Sequence, residues 1–283
     1  MGIYHRPDKL KDALRILAQQ EVTVAAGCTD LFAATQAQVL SGAVLDVTNV
    51  KDLKGITETA GAWRIGAAVS WSDLLAQALP SGFDMLKQAA RQVGGVQVQN
   101  AGTVVGNICN ASPAADGMPP LLALDAQVEL VREGGTRVLT LADFVTGPRQ
   151  IARQHDEIVS AVLIPTGSAV GGSAFHKLGA RKHLVISIAM VAVRVVVAGG
   201  LVTEVAIAVG ACGPVATRLP EIEAALLGVA CSDIEAVLDE ESMAASLQPI
   251  SDIRGHANYR LDVVPEMVRR ALTEAVTSTG ALL

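Results

Sequence analysis

The chain has 283 residues, 51% hydrophobic and 18% charged, with a net charge of −6 at pH 7. This much apolar surface excludes a disordered chain, and the acidic balance with only 3% aromatic residues argues against nucleic acid as a partner. The longest apolar stretch, Leu184 to Ala198, is broken by Ser187 and Arg194 and is shorter than the ~20 residues of a spanning helix, so no membrane span is expected.

In chain order, Leu10, Ala13, Leu14 and Leu17 fall at helical spacing and predict a helix over Lys9–Gln20, opened by Pro7 and Asp8. A short strand, Val22–Ala26, runs into Gly27-Cys28-Thr29-Asp30. A helix is expected from Leu31 to about Leu40, and a strand over Ala43–Val47. This is the pattern of a small α/β lobe, residues 1–55. From Gly61 the text changes. Strand pieces are expected at Trp63–Ile65 and Gly66–Ser70, and helices at Ser70–Ala78 and Phe83–Val93. Gln99–Pro120, punctuated by Gly and Asn, reads as a long irregular segment of the kind that usually carries function. Strand signals follow at Leu121–Leu124, Gln127–Val131, Arg137–Leu141 and Ile158–Ile164, with a hairpin turn at Glu133-Gly134-Gly135. The Gly/Ser-rich run Thr166–Ser173 marks a boundary, giving a second lobe over 56–170 and a further domain over 171–283. In that last domain strand and helix signals alternate through Ala174–Leu178, Ile186–Ala198 and Val202–Gly210. Helices are expected at Leu219–Leu227, Ser232–Ala245 and Val264–Val276. The fold class is α+β.

The start, MGIYHRPDKL, has no apolar core of a signal peptide. Cys28, Cys109, Cys212 and Cys231 lie far apart with no CxxC spacing, so no iron–sulfur or zinc site is expected on this chain. Reduced thiols and a cytoplasmic location fit best. No histidine shows HExxH or triad spacing, and no nucleophile–base pair is apparent, so neither catalytic nor metal-binding residues are assigned.

Neither GxGxxG nor GxxxxGK[ST] occurs. Two other strand-edge loops stand out, Ala26-Gly27-Cys28-Thr29-Asp30 and Gly102-Thr103-Val104-Val105-Gly106-Asn107. Each combines small residues, which let main-chain N–H groups approach an anion, with a threonine hydroxyl. Converging, they would clamp a dinucleotide pyrophosphate without Lys or Arg. Taken alone, Thr29 or Asp30 serves equally as a helix cap, and the glycines as turn residues. Asp116 serves equally as a ribose or ribityl acceptor or as a satisfied turn residue.

The string Asn100-Ala-Gly-Thr-Val-Val-Gly-Asn-Ile-Cys-Asn-Ala-Ser-Pro-Ala-Ala-Asp116 closely resembles the flavin-binding medium subunits of molybdenum hydroxylases, the carbon monoxide and xanthine dehydrogenase flavoproteins. Tyr4-His5-Arg6-Pro7, Leu121–Ala126, Phe175–Arg181 and Asp252–Arg260 extend the resemblance over nearly the whole chain. It implies a two-lobed N-terminal FAD-binding domain, vanillyl-alcohol-oxidase-like and of PCMH type. A C-terminal α+β domain with a small antiparallel sheet and helices would close over the flavin. It places Ala26, Gly27, Cys28, Thr29, Asp30 and Leu31, with Thr103, Val104, Val105, Gly106 and Asn107, around the pyrophosphate. Asp116 falls on the ribityl or flavin side, with Ile158 and Lys177 approaching the flavin. Cys28 and Val105 stand where many relatives have Gly, and Val185 where many have Asp.

The resemblance further implies an electron-transfer subunit holding FAD. A large partner would carry the molybdenum cofactor and a small partner two [2Fe–2S] clusters, with NAD, quinone or oxygen as external acceptor. A stand-alone FAD oxidoreductase of the same fold, and a flavin-free scaffold, remain the alternatives.

Overall fold

The computed structural model describes residues 3–35 and 40–281 as a mixed helix-and-sheet protein built on three main sheets. The first lobe holds β1 (Tyr4–His5), α1 (Leu10–Gln19), β2 (Val22–Ala25), α2 (Leu31–Ala34) and β3 (Ala43–Asp46). Its strands form a parallel sheet in the order β1-β3-β2. Helix α1 buries Ala13, Leu14 and Leu17, the face its spacing predicts. Helix α2 stops at Ala34 because Thr35 is already extended. Part of the longer helix expected there, residues 36–39, lies outside the described residues.

The second lobe contains β4 (Ile56–Thr59), β5 (Ala62–Gly66), α3 (Trp71–Ala76), α4 (Asp84–Ala90), α5 (Val96–Ala101), α6 (Val104–Asn110) and α7 (Met118–Ala123). It continues with β6 (Gln127–Arg132), β7 (Gly135–Thr140), α8 (Leu141–Phe144), a small hairpin of β8 (Val145–Gly147) and β9 (Gln150–Ile151), and β10 (Ile158–Pro165). A five-stranded antiparallel sheet runs β4-β5-β10-β6-β7, with the late strand β10 at its centre. Strand β5 ends at Gly66, so the strand expected over Gly66–Ser70 does not form. Ser70 instead caps α3 through a capping box with Asp73.

The segment expected to be irregular, Gln99–Pro120, is largely helical. Gly95 and Gly102 cap α5, Thr103 caps α6, and Ala111 ends α6 in a left-handed turn at φ 46°. The Gly and Thr punctuation marks helix ends packed close together. The strand expected at Leu121–Leu124 is also a helix: Pro119 and Pro120 begin α7, and each of its residues is buried. A short run apolar on every side has no period that separates a buried helix from a buried strand.

The C-terminal domain contains β11 (Gly172–Leu178), β12 (Ala189–Ala198), β13 (Leu201–Gly210) and β14 (Thr217–Arg218), followed by α9 (Pro220–Leu226), α10 (Ile234–Val237), α11 (Glu240–Ala245) and α12 (Ala257–Ser278). The four strands form an antiparallel sheet in sequence order. Both of its faces are covered. Met190, Ala192, Ala206 and Ala208 join the core of the preceding lobes, while Val191, Val193, Ile207 and Val209 pack with α9 and α12. Burial on both faces is why this stretch reads as a continuous apolar run. The single helix expected over Ser232–Ala245 breaks, because the Asp239 side chain accepts from the Glu241 amide and starts α11 anew. Helix α12 is longer than expected, 22 residues, and runs through Pro265. Proline removes only its own N–H bond from the ladder, and the helix's buried face holds it together. Among the described residues no helix is long and apolar enough to cross a membrane.

Candidate functional site

A cleft of about 1540 Å³ opens between the first lobe, the second lobe and the C-terminal domain. That exceeds the ~300–1,000 Å³ of sites for single small ligands and suits an extended one. Its floor is where the two loops meet. A Cβ on Gly102 would lie 3.2 Å from Thr29 Oγ1, and the Trp71 amide donates to the Gly102 carbonyl at 3.1 Å.

Loop 26–31 has an unusual hydrogen-bond account. The amides of Gly27, Cys28, Thr29, Asp30 and Leu31 find no acceptor among the described residues, and all five residues line the cleft. Main-chain N–H groups are nearly always paired when shielded from water. A run of unpaired ones facing a cleft forms a nest for anionic oxygens. Neither Thr29 nor Asp30 caps α2 through its side chain, so the capping alternative is not realised. Cys28 adopts φ 58°, a conformation glycine takes freely, and its thiol donates to the Ala26 carbonyl at 3.3 Å. Burial raises its thiol above the ordinary range.

The second loop is the first turn of α6. Thr103 Oγ1 accepts from the Gly106 amide at 2.9 Å, while the Val105 amide is unpaired among the described residues. Val105 is an ordinary helical residue with its side chain buried, so its difference from glycine strains nothing. Asn107 Oδ1 accepts from the Gly117 amide at 3.2 Å and ties α6 to the start of α7. Thr103, Val105, Gly106 and Asn107 line the cleft. Val104 does not: its side chain is in the core and its amide donates to the Val69 carbonyl at 3.1 Å.

Asp116 and Lys177 come together. Lys177 Nζ lies 2.7 Å from Asp116 Oδ2, with the side chains 6% and 9% exposed. Ser187 Oγ donates to Asp116 Oδ1 at 2.7 Å. Burial raises the Asp116 pKa, and Lys177 and Ser187 pull it back down. Asp116 lines the cleft and Lys177 sits behind it. Ile158 lines the cleft at the start of β10. Beside it Glu157 receives Arg137 through both oxygens, at 2.6 and 2.8 Å, and the Gln154 amide at 2.7 Å. The Arg137 guanidinium holds the Glu157 carboxyl below its usual range.

Sequence reasoning passed over three contributors. Arg149 and Arg153 line the cleft beside the β8–β9 hairpin, Arg149 bonded to Asn110 and Arg153 donating to the Glu157 carbonyl at 2.7 Å. Nothing in their spacing marks these loop side chains as inward-facing. Ser187 had a usable signal, a polar residue inside an apolar run, which buried seeks a partner. Among the described residues no group of His, Cys, Asp and Glu is arranged to hold a metal ion.

Residues 1–167 match the family described as the FAD binding domain in molybdopterin dehydrogenase, and residues 173–275 the CO dehydrogenase flavoprotein C-terminal domain. The chain is 30% identical over 287 residues to the xanthine dehydrogenase FAD-binding subunit of Escherichia coli O157:H7, covering 99% of this chain and 98% of that one. It is 30% identical to the nicotine 6-hydroxylase medium subunit of Paenarthrobacter nicotinovorans, covering 98% of each. Among solved structures it is similar to a chain of carbon monoxide dehydrogenase from Hydrogenophaga pseudoflava, with a TM-score of 0.89 and 28% identity over 98% of this chain and 97% of that one.

Proposed function

The chain belongs to the family of FAD-binding subunits of molybdopterin dehydrogenases, and from that premise we propose that it is the electron-transfer subunit of a cytoplasmic molybdenum hydroxylase. Its FAD would supply the redox chemistry, taking electrons from the [2Fe–2S] clusters of a small partner subunit and delivering them to an external acceptor. A large partner would bind the molybdenum cofactor and perform the substrate chemistry. The carrying observation is the run of amides over 27–31 with no partner among the described residues, on the floor of a cleft of about 1540 Å³.

The residues of this chain divide the work by position. Loop 26–31 offers its amides to the pyrophosphate, and Thr103, Val105, Gly106 and Asn107 face it from the first turn of α6. Arg149 and Arg153 add positive charge to the cleft wall, which favours an anionic cofactor. Asp116 and Ile158 border the flavin end, with Lys177 behind Asp116 and with Glu157 and its partner Arg137 fixing the turn that presents Ile158. In this reading 1–55 and 56–170 are the two lobes of the FAD domain, and 171–283 closes over the flavin. The chain binds, orients and shields the cofactor.

The test is an absorption spectrum of the purified native complex, with the released cofactor identified and metals quantified. FAD together with molybdenum and about four irons per flavin is expected, since two [2Fe–2S] clusters hold four irons. FAD without metals in a fully active single chain would replace this reading with a stand-alone flavoenzyme. A freshly isolated complex with no flavin would overturn it.

A further inference from the structure

The segment between α6 and α7 is fastened to the C-terminal domain at the edge of the cleft. Lys177 Nζ and Ser187 Oγ each donate to a different oxygen of Asp116 at 2.7 Å. The Ala211 amide donates to the Pro113 carbonyl at 3.0 Å. Both donors to Asp116 come from the C-terminal domain, one from β11 and one from just before β12.

Ser187 sits at a mechanically sensitive point. Ahead of it, residues 184–186 line the cleft but belong to no strand. Leu184 adopts φ 52°, and the side chains of Leu184 and Ile186 are exposed. After it, the Ile188 carbonyl accepts from the buried guanidinium of Arg260. The cleft-lining segment therefore carries little apolar burial of its own, a composition that opens locally unless it is tied down. The Arg181 guanidinium donates to the Leu184 carbonyl from within the same exposed loop, whereas the Ser187 hydroxyl ties the segment to a buried carboxylate of another part of the chain.

We infer that Ser187 is a positioning residue: with Lys177 it clamps Asp116, and the clamp holds segment 184–187 as the C-terminal wall of the cofactor cleft. This rests on the FAD reading above. Each Asp116 oxygen receives one C-terminal donor and keeps further acceptor capacity toward the cleft that Asp116 lines, so the clamp fixes how that carboxylate is presented. Removing Ser187 Oγ leaves a buried carboxylate short of a donor, the costly direction for a charge-assisted bond. Burial already raises the Asp116 pKa, so the loss pushes it further toward its neutral form.

The experiment uses the assembled complex with S187A, S187C, D116A and the D116A/S187A pair. FAD affinity and the visible flavin spectrum are measured, together with amide hydrogen exchange over 184–190 in FAD-loaded and FAD-stripped samples. S187A is expected to weaken FAD binding about tenfold, alter the flavin band shape and speed exchange over 184–190. S187C, similar in size with a weak donor, should recover part of each effect. Adding S187A to D116A should cost nothing further, since D116A already removes the acceptor of the Ser187 hydroxyl. Unchanged exchange and affinity in S187A would overturn the proposal, as would full additivity in the pair. A wild-type complex that binds no FAD would overturn the FAD reading instead, and exchange in the stripped samples would still decide whether the clamp exists.

Discussion

Gly27 and Ala101 meet backbone to backbone: a Cβ on Gly27 would lie 1.9 Å from the Ala101 carbonyl oxygen and 2.7 Å from Gly102 Cα. The turn after β2 therefore rests directly on the end of α5. That contact brings two loops 75 residues apart in sequence onto one floor, where the unpaired amides of 27–31 face the first turn of α6. The approach requires a residue with no side chain, and the obstacle is backbone that no rotamer change can move.

Gly27→Ala should accordingly force the lobes apart. Overpacking at such a contact costs about 1–3 kcal/mol, and separating the loops should lower FAD affinity as well. Chemical denaturation and equilibrium dialysis against FAD measure the two effects. Wild-type values in both would mean that the loops tolerate separation and that their contact is incidental.

Cys28→Gly should act in the opposite direction. The residue holds φ 58°, which costs a non-glycine side chain about 1–2 kcal/mol. Glycine's greater freedom in the unfolded chain returns part of that. A net gain near 1 kcal/mol, or a Tm about 2–4 °C higher, is expected with FAD retained. A lower Tm would show that the thiol's bond to the Ala26 carbonyl holds the loop.

Cys109 lines the cleft, yet burial pushes its thiol up to about 12. At pH 8 only about one molecule in 10⁴ carries the thiolate, which is the reactive form. Iodoacetamide should leave Cys109 unmodified at that pH, with the rate climbing about tenfold per pH unit while the protein stays folded. Peptide mass spectrometry reads this directly, and rapid labelling at pH 8 would contradict the burial.

Glu157 is held in its charged form chiefly by Arg137, which lowers its pKa. A depressed carboxyl contributes stability above its unfolded pKa of about 4.3 and loses it as pH falls through the lower folded value. Arg137→Met should therefore cost about 2 kcal/mol at neutral pH, the magnitude for a charge-assisted bond with a half-exposed partner. It should also shrink the loss of stability on acidification below the ordinary carboxylate range. Urea melts across pH 3–7 test both, and a variant with the wild-type pH dependence would assign that dependence to other carboxyls.

The parts of the site legible in the sequence are those that act locally. Loop 26–31 stood out because glycine and small residues follow a strand, and the amides of 27–31 find no acceptor among the described residues. The Ser70 cap and the hairpin turn, with Gly134 at φ 83°, were readable for the same reason. Where the reading went astray, at 99–120 and 121–124, the residues were buried on every side and the helices short. Periodicity vanishes when no face is left to water.

What the sequence alone determined is the set of backbone devices whose partners lie within a few residues, together with the apolar runs that had to become core. The tertiary structure decided which distant side chains share a buried environment. Asp116 meets Lys177 and Ser187 across 61 and 71 residues. The sequence singled out Asp116 and Lys177 separately and treated Ser187 only as an interruption. A buried carboxylate must find donors, but which ones it finds depends on how β11 packs on α4 and β12 on α7, a relation between faces that no local spacing encodes.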